Sequence, residues 1–168
     1  VETVTQEYLQ GMQWVLSYYT HGISSYSWYY KEFYAPFLCD LTLACEKYKG
    51  EKLPFGKPYP PFVQLLCVIP PKYANILPKP LSDFMTDEKY NLKKYYPETF
   101  EIDVSGKRQE WEGIVVLPMV DVDKVIEKYE EHYPKVEDKY KRRNRFDTSY
   151  IYKYKTRGKK YLFKSFYG

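Results

Sequence analysis

A mainly α-helical fold with a small β component is what this sequence predicts: an α+β helical body with one β-hairpin and a basic, aromatic C-terminal arm. Three observations predict it. Apolar residues recur at three- and four-residue steps near the start. Between Thr99 and Leu117 the period switches once to two. Charge then divides the chain, with eleven Lys or Arg against the single acid Asp147 between Lys139 and Lys164, and fifteen against twenty-one before it. At 168 residues there is room for one domain with a core plus an appendage, placed at 1–138 for the body and its hairpin and 139–168 for the arm.

The first helix is expected over Thr3 to Tyr19, with Thr3 or Thr5 as its cap and Tyr8, Leu9, Met12, Val15, Leu16 and Tyr19 as one buried stripe. The helix is already under way at Thr3 and the chain opens on Val1, as expected of a segment of a longer polypeptide. His21-Gly22 ends the helix and a loop follows. Pro36 is placed to start a second helix carrying Phe37, Leu38, Leu41 and Cys45, closed by Gly50. Lys49 to Pro61 holds four of the twelve prolines and two glycines, so it reads as an irregular connection.

Phe62 to Ile69, bounded by proline pairs, is a short buried helix, and a further helical piece is expected near Leu81 to Met85. Phe100, Ile102 and Val104 alternate with polar residues. Ser105-Gly106 supplies turn chemistry, and Gln109, Trp111 and Ile114 to Leu117 return as the second strand. Asp121 and Asp123 open a helix through Tyr129 to about His132, stopped by Pro134. In the arm, Tyr150 to Lys155 alternates as a strand, Thr156-Arg157-Gly158 turns, and Tyr161 to Tyr167 returns.

Composition narrows the function classes. No apolar run approaches the roughly 18 residues that span a bilayer, and no secretory leader pattern opens the chain, so an intracellular protein without membrane contact is expected. Cys39, Cys45 and Cys67 are odd in number and lie in apolar surroundings, the pattern of reduced core thiols. His21 and His132 stand at no zinc-like spacing from them. Asp121-Val122-Asp123 has the carboxylate pairing of a Mg²⁺ site, but its place before an amphipathic helix favours capping. There is no phosphate loop and no nucleophile elbow, and no complete active site emerges.

Two features point to single-stranded nucleic acid. The stretch Tyr26 to Leu41 crowds Tyr26, Trp28, Tyr29, Tyr30, Phe33, Tyr34 and Phe37 into sixteen positions. Rings that follow one another so closely cannot all face one way, so most are expected in the core, leaving one or two for a stacked base. Trp28, beside a glycine- and serine-containing loop, is the foremost candidate, with Tyr29 and Tyr30 next to it and Trp14 on the first helix. The second feature is the strip Lys139, Lys141, Arg142, Arg143 and Arg145, whose charge suits phosphates. The arm's strand alternation suits addition to a neighbouring sheet equally well, which makes protein docking the alternative.

The segments QWVLSYYTHG, SWYYKEFYAPF with Asp40-Leu41, PFVQLL with VIP, FMTD, YYPETFEID with Gly106 and EWEGIVVLP with Asp121 occur in an order that resembles the C-terminal part of the catalytic core of the Xrn-type 5′→3′ exoribonucleases. The likeness runs over roughly residues 5 to 145. It implies a fragment of an RNA-decay enzyme that acts on single-stranded RNA with a 5′-monophosphate and releases mononucleotides, with Mg²⁺ held by acids of an N-terminal catalytic region. That region would be the chain's partner, with decay-factor proteins as further partners. The fragment itself would carry no catalytic residue, metal or cofactor and would be inactive alone. The resemblance also implies that a tryptophan of this region clamps the first bases, and Trp28 matches best, with Trp14 the alternative.

The sequence departs from the family pattern at Tyr26, where Trp is common, at Val63, where Glu is usual, at Ser105, where Asn is usual, and at Arg143 to Phe146, where the family often continues toward Gly. The wording KRQEWE and the segment KYKRRN are closer to the cytoplasmic branch of the family than to the nuclear one.

Overall fold

The computed structural model describes residues 2–152, 154 and 161–163 and is mainly α with a small β component. In chain order its elements are α1 (Glu2–Thr20), α2 (Leu38–Lys47), α3 (Pro61–Val68), β1 (Glu101–Asp103), β2 (Ile114–Val116), α4 (Val122–His132), the one-turn α5 (Asp138–Lys141), β3 (Ser149–Ile151) and β4 (Tyr161–Phe163). Short 3₁₀ turns fill the proline-rich stretch between α3 and β1, among them Pro71–Ile76 and the expected Leu81–Met85. These elements form two compact units. One comprises the stretch up to Pro58 with Phe100–Met119, and the other Tyr59–Thr99 with the stretch from Val120 onward.

The second unit holds the hydrophobic core. Pro61 stands in the first turn of α3, where its missing N–H costs nothing, and Phe62, Val63 and Leu66 are buried. They meet Leu77, Leu81, Phe84, Met85, Leu92 and, from α4, Val125 and Tyr129. Val63, where relatives were expected to carry an acid, is a fully buried core residue and offers no surface contact. The Tyr96 hydroxyl donates to the Leu66 carbonyl at 2.8 Å, and burial pushes its phenol up. Asp121 caps α4 as expected. Its Oδ1 accepts the Lys124 N–H at 3.2 Å, and its bonds to Lys124 hold the carboxyl below the usual range.

The first unit differs from expectation because few of its apolar residues are covered. On α1 only Thr5 and Leu9 are buried, while Met12, Val15, Leu16 and Tyr19 of the expected buried stripe are 49 to 81% exposed. A helix buries its stripe only where another layer lies on it, and among the described residues none lies on this part of α1. The same holds for the aromatic stretch. None of its rings is fully buried, and Phe37 is 79% exposed. The second helix starts at Leu38, two residues after the expected Pro36, because Phe37 stays extended as its N-cap, and it ends at Lys47 before Gly50. Cys39 and Cys45 are exposed rather than in a core, since α2 has no buried residue; all three cysteines are free, and burial lifts the Cys67 thiol to about 11.

The hairpin pairs Glu101 with Val116, Ile102 with Val115 and Asp103 with Ile114. Its strands are three residues each, shorter than expected. Trp111 lies not in a strand but in the 3₁₀ turn Glu110–Glu112, with its ring 81% exposed. Asp103 organises the turn. One carboxylate oxygen accepts the Ser105 N–H at 2.8 Å, and the other accepts the Tyr34 hydroxyl at 2.5 Å, which ties the aromatic stretch to the hairpin.

Those bonds, Tyr34 first, hold the Asp103 carboxyl at about 2. A depressed carboxyl stabilises the fold above its ordinary pKa, and that stabilisation is lost as pH falls through about 2. Tyr34→Phe is therefore expected to move the Asp103 titration toward roughly 3.9, followed by carboxyl ¹³C NMR. An unmoved midpoint would show that the phenol bond does not hold the charge.

In the arm, β3 and β4 pair antiparallel, Tyr150 opposite Leu162, but β3 ends at Ile151, well short of the expected strand from Tyr150 to Lys155. The expected turn at Thr156 to Gly158 and the continuation beyond Phe163 lie outside the described residues.

Candidate nucleic-acid interface

The stacking candidates belong to the first unit. Ser25, 1% exposed, is the hub of the loop that carries them. Its hydroxyl donates to the Pro54 carbonyl at 2.7 Å and accepts the Trp28 backbone N–H at 3.2 Å, while its carbonyl accepts the Trp14 indole N–H at 2.9 Å. Tyr26 adds a backbone bond to Phe55 at 2.9 Å and an edge-on ring contact with it. A loop so tied holds its side chains in place without a core beneath it.

Trp28 lies against α1. Its indole N–H donates to Gln10 Oε1 at 3.2 Å, and Gln10 Nε2 in turn donates to Glu51. One turn along, Gln13 donates to the Glu51 carbonyl at 2.9 Å and accepts the Tyr48 hydroxyl at 2.7 Å. The two glutamines thus tie α1 to the segment after α2. Tyr30 packs its ring edge-on against Tyr8 at 5.7 Å and donates its hydroxyl to the Tyr34 carbonyl at 2.7 Å.

Trp28 and Tyr30, with Tyr8, Gly11, Met12, Val15, Leu16 and Tyr19, line one open groove of about 540 Å³ along α1. No charged side chain lines it. Trp14 is not in the groove. It stacks on Tyr18 with ring centroids 5.5 Å apart, so one of its faces is covered. Tyr29 is 45% exposed and does not line the groove either.

The basic candidates belong to the second unit. Lys139 pairs with Glu137 at 2.6 Å and Lys141 with Asp138 at 2.7 Å. Arg143 donates to the Ile76 carbonyl at 2.9 Å, with its guanidinium 5.8 Å from the centre of the Phe62 ring. Arg142 and Arg145 are exposed and form no ion pair among the described residues. Between them Asn144 anchors the strip: its Oδ1 caps α3 by accepting the Phe62 N–H at 2.9 Å, and its Nδ2 donates to the Tyr129 hydroxyl at 2.6 Å.

Sequence reasoning missed the organising residues Gln10, Gly11, Ser25 and Asn144. Only Gly11, a glycine in the middle of a helical pattern, carries a signal visible in sequence.

Among the described residues no group of three or more His, Cys, Asp or Glu side chains could hold a metal ion. No helix among the described residues is long and apolar enough to cross a membrane.

The family described as Xrn1 helical domain matches residues 1–167. The human protein named 5′-3′ exoribonuclease 1 is 38% identical over 156 residues, covering 86% of this chain and 9% of that protein. The Saccharomyces cerevisiae 5′-3′ exoribonuclease 1 is 34% identical over 154 residues, 92% of this chain and 10% of the yeast protein. The Gallus gallus 5′-3′ exoribonuclease 2 is 38% identical over 145 residues, 84% and 15%. The chain thus spans about a tenth of the length of the curated relatives it matches.

Proposed function

Because the chain belongs to the Xrn1 helical domain family, we propose that it serves in RNA decay as the helical wall of a 5′→3′ exoribonuclease, and that its α1 groove receives bases of single-stranded, 5′-monophosphorylated RNA. The observation that carries this reading is the groove itself. A tryptophan is fixed at its side by a hydrogen-bonded indole, its lining is aromatic and aliphatic, and it presents no charge. Such a surface takes any base by its flat face and reads no sequence, which suits an enzyme that digests RNA regardless of sequence. Independently of the groove, Arg142 and Arg145 of the second unit are proposed phosphate contacts, their charges being free of ion pairs among the described residues. The bond-breaking step and its Mg²⁺ belong to the N-terminal catalytic region of the enzyme. The KRQEWE wording favours the cytoplasmic branch.

A second reading has its own support. Met12, Val15 and Leu16 on α1, and Phe100, Ile102, Val104 and Val115 on the hairpin, are 40 to 66% exposed. Contiguous apolar faces of that kind mark protein docking, here onto the catalytic region and decay-factor proteins.

A salt series separates the two. If the chain tracks RNA, affinity measured by anisotropy falls steeply with log salt, and Arg142→Ala with Arg145→Ala flattens the slope by roughly 1.4, at roughly 0.7 per phosphate contact on a single strand. A slope that the double variant leaves unchanged removes these arginines from the RNA path and favours docking.

A further inference from the structure

Gly11 sits in the middle of the 19-residue helix α1, where alanine is the better helix former. Its backbone shows no left-handed conformation that would demand glycine. What it does have is a neighbour. A Cβ built at Gly11 would stand 3.0 Å from Trp28 Cη2 and 3.7 Å from its Cζ3, so the indole ring occupies the space that a side chain would take. A contact at 3.0 Å is tighter than ordinary van der Waals separation, and one partner must move by a few tenths of an ångström. The helix backbone is held by its own ladder. The indole, only partly buried and tethered to Gln10 by one bond of 3.2 Å, is the softer partner.

We infer that Gly11 is a positioning residue: its missing side chain forms the notch in α1 that seats the Trp28 ring, and Gln10 fixes the ring's rotation within it. Notch and acceptor are adjacent in sequence, and Gln10 is itself held by Glu51. The glycine is kept for the orientation of a stacking face, against the preference of the helix. This inference rests on the reading of Trp28 as a base-stacking residue.

The test uses Gly11→Ala in the intact protein, labelled with 5-fluorotryptophan, with the Trp28 ¹⁹F resonance assigned by Trp28→Phe. The variant is expected to shift that resonance and leave Tm unchanged or raised. It is also expected to weaken binding of a 5′-monophosphorylated single-stranded RNA by about tenfold, part of the stacking contribution. In a Trp28→Ala background the same substitution is expected to cost no further affinity, because its effect passes through the ring.

An unmoved resonance overturns the inference, as does a loss that adds fully to that of Trp28→Ala. A fall in Tm overturns it too, because Gly11 would then serve helix packing. Gln10→Met, which removes the acceptor at similar volume, is expected to shift the same resonance, and no shift overturns Gln10's part. If Trp28→Ala itself leaves RNA affinity intact, the stacking reading fails, and the positioning inference then stands or falls on the ¹⁹F resonances of the two variants alone.

Discussion

Trp28→Ala in the intact protein is expected, from the proposed base-stacking role, to weaken binding of single-stranded RNA by about 5- to 150-fold, the equivalent of about 1 to 3 kcal/mol for one stacked base. The loss should appear in KM and in processivity. The rate of the bound complex should change little, because a ring that holds ground state and transition state alike contributes uniform binding. Trp14→Ala is the natural contrast. Its indole N–H is given to the Ser25 carbonyl and one ring face is covered by Tyr18, so its removal should loosen the loop and lower stability with a smaller effect on affinity. An unchanged KM and processivity in Trp28→Ala would take the ring out of the RNA path and leave the α1 groove as a docking face.

Phe84→Ala is expected to cost about 3 to 5 kcal/mol of unfolding free energy, read from urea denaturation. The ring is fully buried in the second unit and meets Tyr90 at 4.8 Å and His132 edge-on at 5.5 Å between centroids. Neither neighbour can follow the lost ring inward freely. His132 is held by a 3.0 Å bond between its Nδ1 and the Lys128 carbonyl, and Tyr90 belongs to a 3₁₀ turn capped by Asp87. A cavity therefore persists. The matching control is Phe37→Ala, where the ring is 79% exposed and the change should stay within roughly 0.5 kcal/mol. A loss below about 1 kcal/mol for Phe84→Ala would mean that this core is not the structural centre of the second unit.

Local chemistry made much of the fold legible. The 3.6-residue period of α1, the prolines bounding α3, the Asp121 cap of α4 and the period-two switch at the hairpin each state an element through backbone rules that need no partner. The Phe62 to Ile69 run was legible as a helix that enters the core, but only Phe62, Val63 and Leu66 are buried and Val68 is 68% exposed, so its burial is one-sided. The candidate site was legible as an inventory: Trp28 and Tyr30 line the groove, and Arg142 and Arg145 are exposed.

Burial in the first unit was not legible. A period of 3.6 says which α1 residues share a face, but only the presence of another layer decides whether that face is covered. Met12, Val15 and Leu16 form the stripe the pattern demands and yet stand open. For the same reason Cys39 and Cys45 are apolar in context but exposed in fact, and Trp111, written as a strand residue by its spacing, was taken into a 3₁₀ turn.

Partnership was equally hidden. That Lys139 and Lys141 meet acids two and three residues away and that Arg143 meets the Ile76 carbonyl, while Arg142 and Arg145 form no ion pair among the described residues, depends on side-chain directions in a short turn. The sequence by itself determined which segments coil, turn and pair, because those follow from dihedral preference and hydrogen-bond closure within a few residues. Only the tertiary structure decided which apolar faces stay open, that Arg143 meets the Ile76 carbonyl and that the Trp28 ring lies where a side chain at residue 11 would stand, because each depends on atoms contributed from another element of the chain.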